Sequence, residues 1–260
     1  MKNKTFKILR NFIYKIKRLV VINFYKGNKL LCPICLFKAK KFFDYGLNNK
    51  IIKEFEIIGM GFRKNVICPN CYSKDRERLV FLFLDKLLKA GKINYSSKII
   101  HFSPEKSIKN NFFKKKFNNY VTADYEDKEA DLLIDLQIKK VQKNNFDLVI
   151  CNHVMEHLID DQTALYNLYN MLKPGGFAIL QAPFSKKIIK DIQNTKHITD
   201  EERILNYGQK DHVRIYSEEQ YLKKIQNAGF TLNIDNMENE NNSNPSYGLN
   251  FKEKVIFAIR

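Results

Sequence analysis

Apolar residues along the second two-thirds of the chain fall in short runs separated by polar stretches: Lys98–Phe102, Asn119–Ala123, Ala130–Ile134, Asp147–Cys151, Phe177–Ala182, Phe230–Ile234 and Val255–Ile259. Continuous runs of this length predict strands buried on both faces. Between the fourth and fifth runs, Ala164, Leu165, Leu168, Met171 and Leu172 recur at helical spacing over Asp160–Leu172, and Lys173-Pro174-Gly175-Gly176 stops that helix. A further helix opens at Ser217-Glu218-Glu219-Gln220, which reads as a capping box, and ends at Gly229. The alternation predicts an α/β fold built on a mostly parallel sheet. The last two strands are joined without helical period, so they form an antiparallel pair. Ligands of such sheets bind at the carboxyl ends of the strands, around the switch point.

The first third has a different pattern. Phe6, Leu9, Phe12, Ile13, Ile16, Leu19 and Val20 lie at helical spacing among Lys7, Arg10, Lys17 and Arg18, with no acid before Asp44. This predicts a basic amphipathic helix over residues 1–26, suited to an anionic membrane surface or a partner, or else packed on its own chain or left as an arm. Strand-like runs follow at Lys41–Tyr45, Ile51–Ile58 and Lys64–Ile67, and a strongly apolar helix at Ser73–Ala90. Arg76 and Arg78 precede its apolar run; they read as a pair for a carboxylate or phosphate, or as partners of Asp75 and Glu77.

Charge sharpens this division. Of 45 Lys and Arg and 28 Asp and Glu, residues 1–98 hold 23 and 6, and residues 99–260 hold 22 and 22, so the whole excess of +17 is N-terminal. That suggests an anionic surface for the first third, although 37 Lys against 8 Arg and 28 Asn also suit an A+T-rich coding bias. No run approaches the about 20 apolar residues of a membrane span, and lysines break the only candidate leader. A cytoplasmic chain is expected, free or peripheral on the inner membrane face, where thiols stay reduced. Cys32-Pro33-Ile34-Cys35 and, 32 residues on, Cys68-Pro69-Asn70-Cys71 then read as two knuckles of one tetrahedral S4 site, a structural Zn2+ ribbon. The expected units are residues 1–30, a basic helix; 31–74, the zinc ribbon; and 75–260, the α/β domain.

Phe146-Asp147-Leu148-Val149-Ile150-Cys151-Asn152-His153-Val154-Met155-Glu156-His157, followed by Met171-Leu172-Lys173-Pro174-Gly175-Gly176-Phe177-Ala178-Ile179-Leu180, resembles class I S-adenosylmethionine-dependent methyltransferases of the type-11 group, from about residue 98 onward. The front end resembles a bacterial subgroup in which a CPxC…CPxC ribbon precedes that domain, often beside surface-polysaccharide enzymes. The resemblance implies a Rossmann-like sheet and S-adenosylmethionine as cofactor, with Asp135 on the adenine amino group. Asp124, 22 residues after Phe102, has the spacing of a ribose-binding carboxylate. Asn152 and His153 would line the methionine and methyl side. Where relatives carry a glycine-rich first turn, this chain has Ser103-Pro104-Glu105. Ser103 is expected to cap a helix there, aiming N–H groups at the methionine carboxylate, while Glu105 holds its amino group.

Methyl transfer from a sulfonium needs alignment and, for an oxygen or nitrogen acceptor, a base. His212 is the first candidate base, with His153 as another and Arg214 for an anionic acceptor group; His157 reads as a packing residue and Cys151 as core. A small-molecule, sugar or lipid-linked acceptor is favoured. The sequence lacks an Asn-Pro-Pro-Tyr segment and a Pro-Cys nucleophile, which lowers nucleic acid as acceptor. An RNA methyltransferase and a non-catalytic binding module on a decayed fold remain as alternatives.

Overall fold

The computed structural model describes residues 18–138, 143–194, 199–235 and 245–260. Most of the amphipathic helix expected over residues 1–26 therefore lies outside the described residues. Its last turns, 18–25, are helical, with Leu19, Val20 and Phe24 exposed.

The cysteine lobe consists of two antiparallel hairpins. Strand β1 (Lys26–Leu31) pairs with β2 (Lys38–Ala39), and β3 (Phe43–Tyr45) with β4 (Arg63–Ile67). Residues 51–58 are not the strand that their apolar run suggested. The Asn49 side chain accepts from the Ile51 N–H and starts a short helix, Lys50–Glu54, which buries Ile52. A single bridge from Ile58 to Phe184 ties this segment to the body.

The main sheet contains β5 (Ile99–Phe102), β6 (Tyr120–Asp124), β7 (Leu132–Leu133), β8 (Phe146–Cys151) and β9 (Leu172–Ile179). All of these run parallel. A small second sheet follows, in which β10 (Phe184–Ser185) and β11 (Ile192–Gln193) flank β12 (Arg214–Ser217). The main sheet is completed by β13 (Thr231–Asp235) and β14 (Val255–Ile259). Its order is β13-β14-β9-β8-β5-β6-β7, with β14 antiparallel to both neighbours. This is the expected Rossmann-like sheet with its antiparallel end. The strand order reverses between β5 and β8, which fixes the switch point there.

The pleat sends successive residues to opposite faces. Ile100, Val149 and Cys151 pack with Leu165, Leu168, Tyr221 and Ile225, from helices Asp161–Met171 and Glu218–Asn227. Ile99, Leu148 and Ile150 pack with Leu79, Phe83, Leu84 and Phe113. Helix Asp75–Lys89 thus covers the second face, and Cys32, Cys68 and Phe42 of the cysteine lobe share that core. Each fully buried Leu, Ile or Phe contributes about 1.5–3 kcal/mol.

Two local expectations change. Lys173-Pro174-Gly175-Gly176 is a bulge inside β9: Phe146 faces Leu172, but Leu148 already faces Phe177. The glycine at 175, at φ +76°, lets the chain make that excursion. Ser217 stands at the N-cap of its helix without a side-chain capping bond, its N–H donating instead to Asp191. The capping box forms elsewhere, between Thr199 and Glu202 at the head of helix Asp200–Tyr207.

Candidate functional site

The corner after β5 takes the backbone path that a glycine usually serves. Ser103 sits at φ +42°, its N–H donates to the Ala123 carbonyl over 2.8 Å, and its hydroxyl donates to Asp124 Oδ2 over 2.9 Å. It does not cap a helix. The helix starts at Lys106, with Glu105 in the capping position and no side-chain bond there, because Ser103 and Pro104 are still turning off the strand.

Asp124 ends β6 and is held firmly. Its Oδ1 accepts from the N–H groups of Glu126, at 3.0 Å, and Asp127, at 3.1 Å. Burial alone would push its carboxyl up, but these donors and the Ser103 hydroxyl outweigh it and keep the pKa below the ordinary carboxylate range. Asp135 follows β7 and accepts from the Gln137 N–H at 2.8 Å. The Gln137 side-chain oxygen in turn accepts from the N–H groups of Ile159 and Asp160, joining the loop after β7 to the loop after β8.

His153 leaves the end of β8 at φ +55°, with its N–H donating to the Gln181 carbonyl over 2.7 Å. Ser103, Asp124, Asp135, Gln137 and His153 all line one cavity of about 530 Å3 at the carboxyl ends of β5, β6 and β8. That volume lies within the range of cofactor-sized clefts, about 300–1,000 Å3. Of the serine-proline-glutamate corner, Ser103 forms part of its wall and leaves it open.

A family model described as a methyltransferase domain matches residues 63–233, about two-thirds of the chain. The chain belongs to that family. It is an S-adenosylmethionine-dependent methyltransferase. Among solved structures, its fold is similar to that of an S-adenosylmethionine-dependent methyltransferase from Mesorhizobium loti, at 12% identity over 67% of this chain and 96% of that one, TM-score 0.46. A counterpart from Archaeoglobus fulgidus is 14% identical over 71% of this chain and 94% of that one, TM-score 0.45. The 1,6-didemethyltoxoflavin-N1-methyltransferase of Burkholderia thailandensis, solved with 1,6-didemethyltoxoflavin and S-adenosylhomocysteine, is 13% identical over 67% and 75%, TM-score 0.43. No curated protein matches the chain.

Two residues expected at the methyltransferase's cofactor lie behind the cavity wall. Glu105 accepts from the Asn152 side-chain amide over 2.5 Å and stands 3.3 Å from His101 Nε2. Burial raises its carboxyl, but His101 and the charge of Arg76 outweigh burial and hold it at about 2. Glu105 and Asn152 thus brace the tips of β5 and β8, and neither lines the cavity.

The expected acceptor residues separate in the same way. Arg214 is 4% exposed: its guanidinium pairs with Asp161 and donates to the carbonyls of Leu158 and Ile159, both at 2.7 Å. With both terminal nitrogens committed there, it is absent from the cavity lining, and its geometry is that of a clamp between loops. His212 is 2% exposed, packed edge-on against the His157 ring, and 4.0 Å from Glu156. Burial drives its pKa down to about 4 in spite of the Glu156 charge, so it is neutral at pH 7. Glu156 is held at about 2, because the nearby rings of His153, His157 and His212 outweigh its burial.

Arg78 likewise binds no external anion. It is wholly buried and donates to the carbonyls of Tyr247, Val66, Ser73 and Gly248 at 2.7–3.0 Å. Asp75 pairs with Arg63 rather than Arg76, and Arg76 lines a second cavity, of about 180 Å3, between the cysteine lobe and the body.

The four cysteines converge as their spacing implied. Sγ of Cys32 is 3.6 Å from that of Cys71, and Sγ of Cys35 is 3.7 Å from that of Cys68. A tetrahedron with about 2.3 Å metal–sulfur bonds has edges of about 3.8 Å. The knuckles repeat one geometry: Leu36 and Tyr72 each stand at φ +59° and donate their N–H to the carbonyls of Cys32 and Cys68. The donor set therefore fits Zn2+.

Residues that sequence reasoning missed include Gln137, Glu156 and Glu253. Glu156 was visible in the Glu-His ending of the loop motif, but nothing local marks Glu253.

Proposed function

We infer that this methyltransferase transfers a methyl group to an oxygen or nitrogen of a small-molecule, sugar or lipid-linked acceptor, as a bacterial enzyme of the ribboned type-11 kind. The observation that carries the reading is that Ser103, Asp124, Asp135 and His153, named from four separate stretches of sequence, share one cavity at the switch point. Asp124 would accept from the two ribose hydroxyls, each charge-assisted bond contributing about 1.5–3 kcal/mol. Asp135 would take the adenine amino group, and Ser103 would fix the corner beneath the nucleoside. His153 is the member of the expected catalytic set that lines the cavity, where it would orient the acceptor and receive its proton. S-adenosylmethionine, when bound, supplies an electrophilic methyl on sulfonium, so alignment is the protein's main contribution.

The division into a basic helix (1–30), a zinc ribbon (31–74) and a catalytic domain (75–260) belongs to this reading, with Zn2+ held by Cys32, Cys35, Cys68 and Cys71 as a structural ion. We place the chain in the cytoplasm, with the basic arm docking it on an anionic membrane face. Exposed Leu19, Val20 and Phe24 support that part, and no helix among the described residues is long and apolar enough to cross a membrane.

Calorimetric titration with S-adenosylhomocysteine tests the core of the reading. The wild type should bind in the micromolar range, and Asp124→Asn should weaken binding tenfold or more. No binding at millimolar concentration would leave the non-catalytic module. Salt-sensitive RNA binding would select the RNA methyltransferase. Flotation with anionic liposomes that requires residues 1–26 supports the membrane arm.

A further inference from the structure

A second set of ligating side chains converges beside the cavity, away from the cysteines. Glu156 and His157 belong to the one-turn segment Met155–His157 after β8. His212 arrives from the loop before β12, anchored where the Val213 N–H donates to the Glu156 carbonyl over 3.0 Å. One ligating atom from each of the three residues lies within 4.8 Å of the other two. Nε2 of His157 is 3.9 Å, and Nε2 of His212 4.0 Å, from Glu156 Oε1. Ligands about 2.0–2.2 Å from a common ion stand about 3–4 Å apart, so small side-chain rotations complete such a site.

Among the described residues no Lys or Arg lies within ion-pair distance of the carboxylates there. Nδ1 of His153 is 3.4 Å from Glu156 Oε1, and its Nε2 is 3.5 Å from Glu253 Oε1. Both ring nitrogens, with Glu156 Oε2 and Glu253 Oε2, are buried without a hydrogen-bond partner. Glu156 is 2% exposed and Glu253 5%, and among the described residues their ion-pair neighbours are histidines alone. Buried carboxylates without a cation are costly, and a positive ion between them removes the cost. The Asp211 carbonyl can only accept, so its 3.0 Å contact places a proton on His157 Nδ1 and leaves Nε2 as the ring nitrogen that faces Glu156.

We propose that Glu156, His157 and His212 bind a divalent transition-metal cation, with His153 beside it, at the acceptor side of the cavity. Imidazoles with a carboxylate suit Mn2+, Fe2+, Co2+ or Zn2+. His153 and His157 also line the cavity, so the ion has an open side there. Binding rests on these side chains alone, whereas its part in catalysis rests on the methyl-transfer reading. In that part the ion holds an acceptor hydroxyl and acidifies it. The proton passes to His153, the oxygen bonds to the methyl carbon, and the carbon–sulfur bond breaks with its electron pair staying on sulfur.

The test is a Mn2+ titration of the full, zinc-loaded chain, followed by electron paramagnetic resonance. Thiolates disfavour Mn2+, so the cysteine cluster stays silent. One Mn2+ per chain is expected, with affinity at least tenfold weaker in Glu156→Gln and in His157→Asn. The second variant alters a side chain that is 31% exposed, so its fold is retained. A wild type that takes up neither Mn2+ nor a second Zn2+ overturns the site, and so does binding unchanged in both variants. S-adenosylhomocysteine binding by the same samples separates the two readings: this ligand bound without metal overturns only the metal site, and metal bound without this ligand overturns only the methyl-transfer reading.

Discussion

Ser103 and Asp124 meet across the tips of the first two parallel strands, the serine hydroxyl donating to the carboxylate over 2.9 Å from a backbone at φ +42°. One residue thereby does the conformational work of a glycine and supplies a donor that a glycine lacks. A non-glycine residue in this region costs about 1–2 kcal/mol. Ser103→Gly should therefore keep or raise the melting temperature while weakening S-adenosylhomocysteine several-fold. Ser103→Val should lower both. Parallel thermal melts and calorimetry check this, and a glycine variant with unchanged affinity would remove the hydroxyl from the argument.

Arg78 closes the cysteine lobe onto the C-terminal loop through four carbonyl groups. Arg78→Met leaves those acceptors buried and unpaired, and should cost about 3–5 kcal/mol in urea unfolding. Refolded variant should still bind S-adenosylhomocysteine, because the guanidinium lies outside the cavity.

Glu77 is 4% exposed and accepts from the Ser107 hydroxyl. Burial, followed by the charge of Glu105, pushes its carboxyl up to about 7 from an ordinary 4.5. Between those values the unfolded chain releases the proton and the folded chain keeps it. Stability from this group is thus complete below pH 4.5 and is lost as pH rises toward 7, by roughly 2–3 kcal/mol. Chemical unfolding from pH 4.5 to 8 should show the wild type losing that increment relative to Glu77→Gln; parallel curves would contradict the shift.

Zinc at the four cysteines, as proposed above, should hold the front lobe together, so its removal should unfold that lobe first. Cys32 and Cys68 share a core with helix Asp75–Lys89, so loss of the ion loosens that face of the main sheet as well. A chelator, or Cys68→Ser, should lower the melting temperature and abolish one equivalent of zinc by elemental analysis. Retained stability in the zinc-free chain would argue against a structural ion.

The central strands β5 and β8 were legible because each is an apolar run buried on both faces, a signal that needs no knowledge of neighbours, whereas the edge strand β7 shrinks to two exposed leucines, Leu132 and Leu133. Val255–Ile259 emerges with the same bounds, and β5, β6, β8 and β13 within a residue at either end. The cysteine knuckles were equally legible, since two CxxC pairs allow few arrangements. The segment 51–58 was not, because one capping bond from Asn49 outweighed its β-branched composition. Strands β10 and β11, of two residues each, are too short to show any period.

The chain's local pattern therefore determined the layers, the convergence of the four cysteines and the positions of Ser103, Asp124, Asp135 and His153 at strand ends, because those depend on burial and on chain order. Only tertiary structure decided that Arg214 faces Asp161 instead of a ligand, that Glu105 accepts from Asn152, and that His212 comes to rest beside Glu156. Each of those outcomes depends on which distant side chain reaches a buried charge first, and sequence spacing carries no information about that.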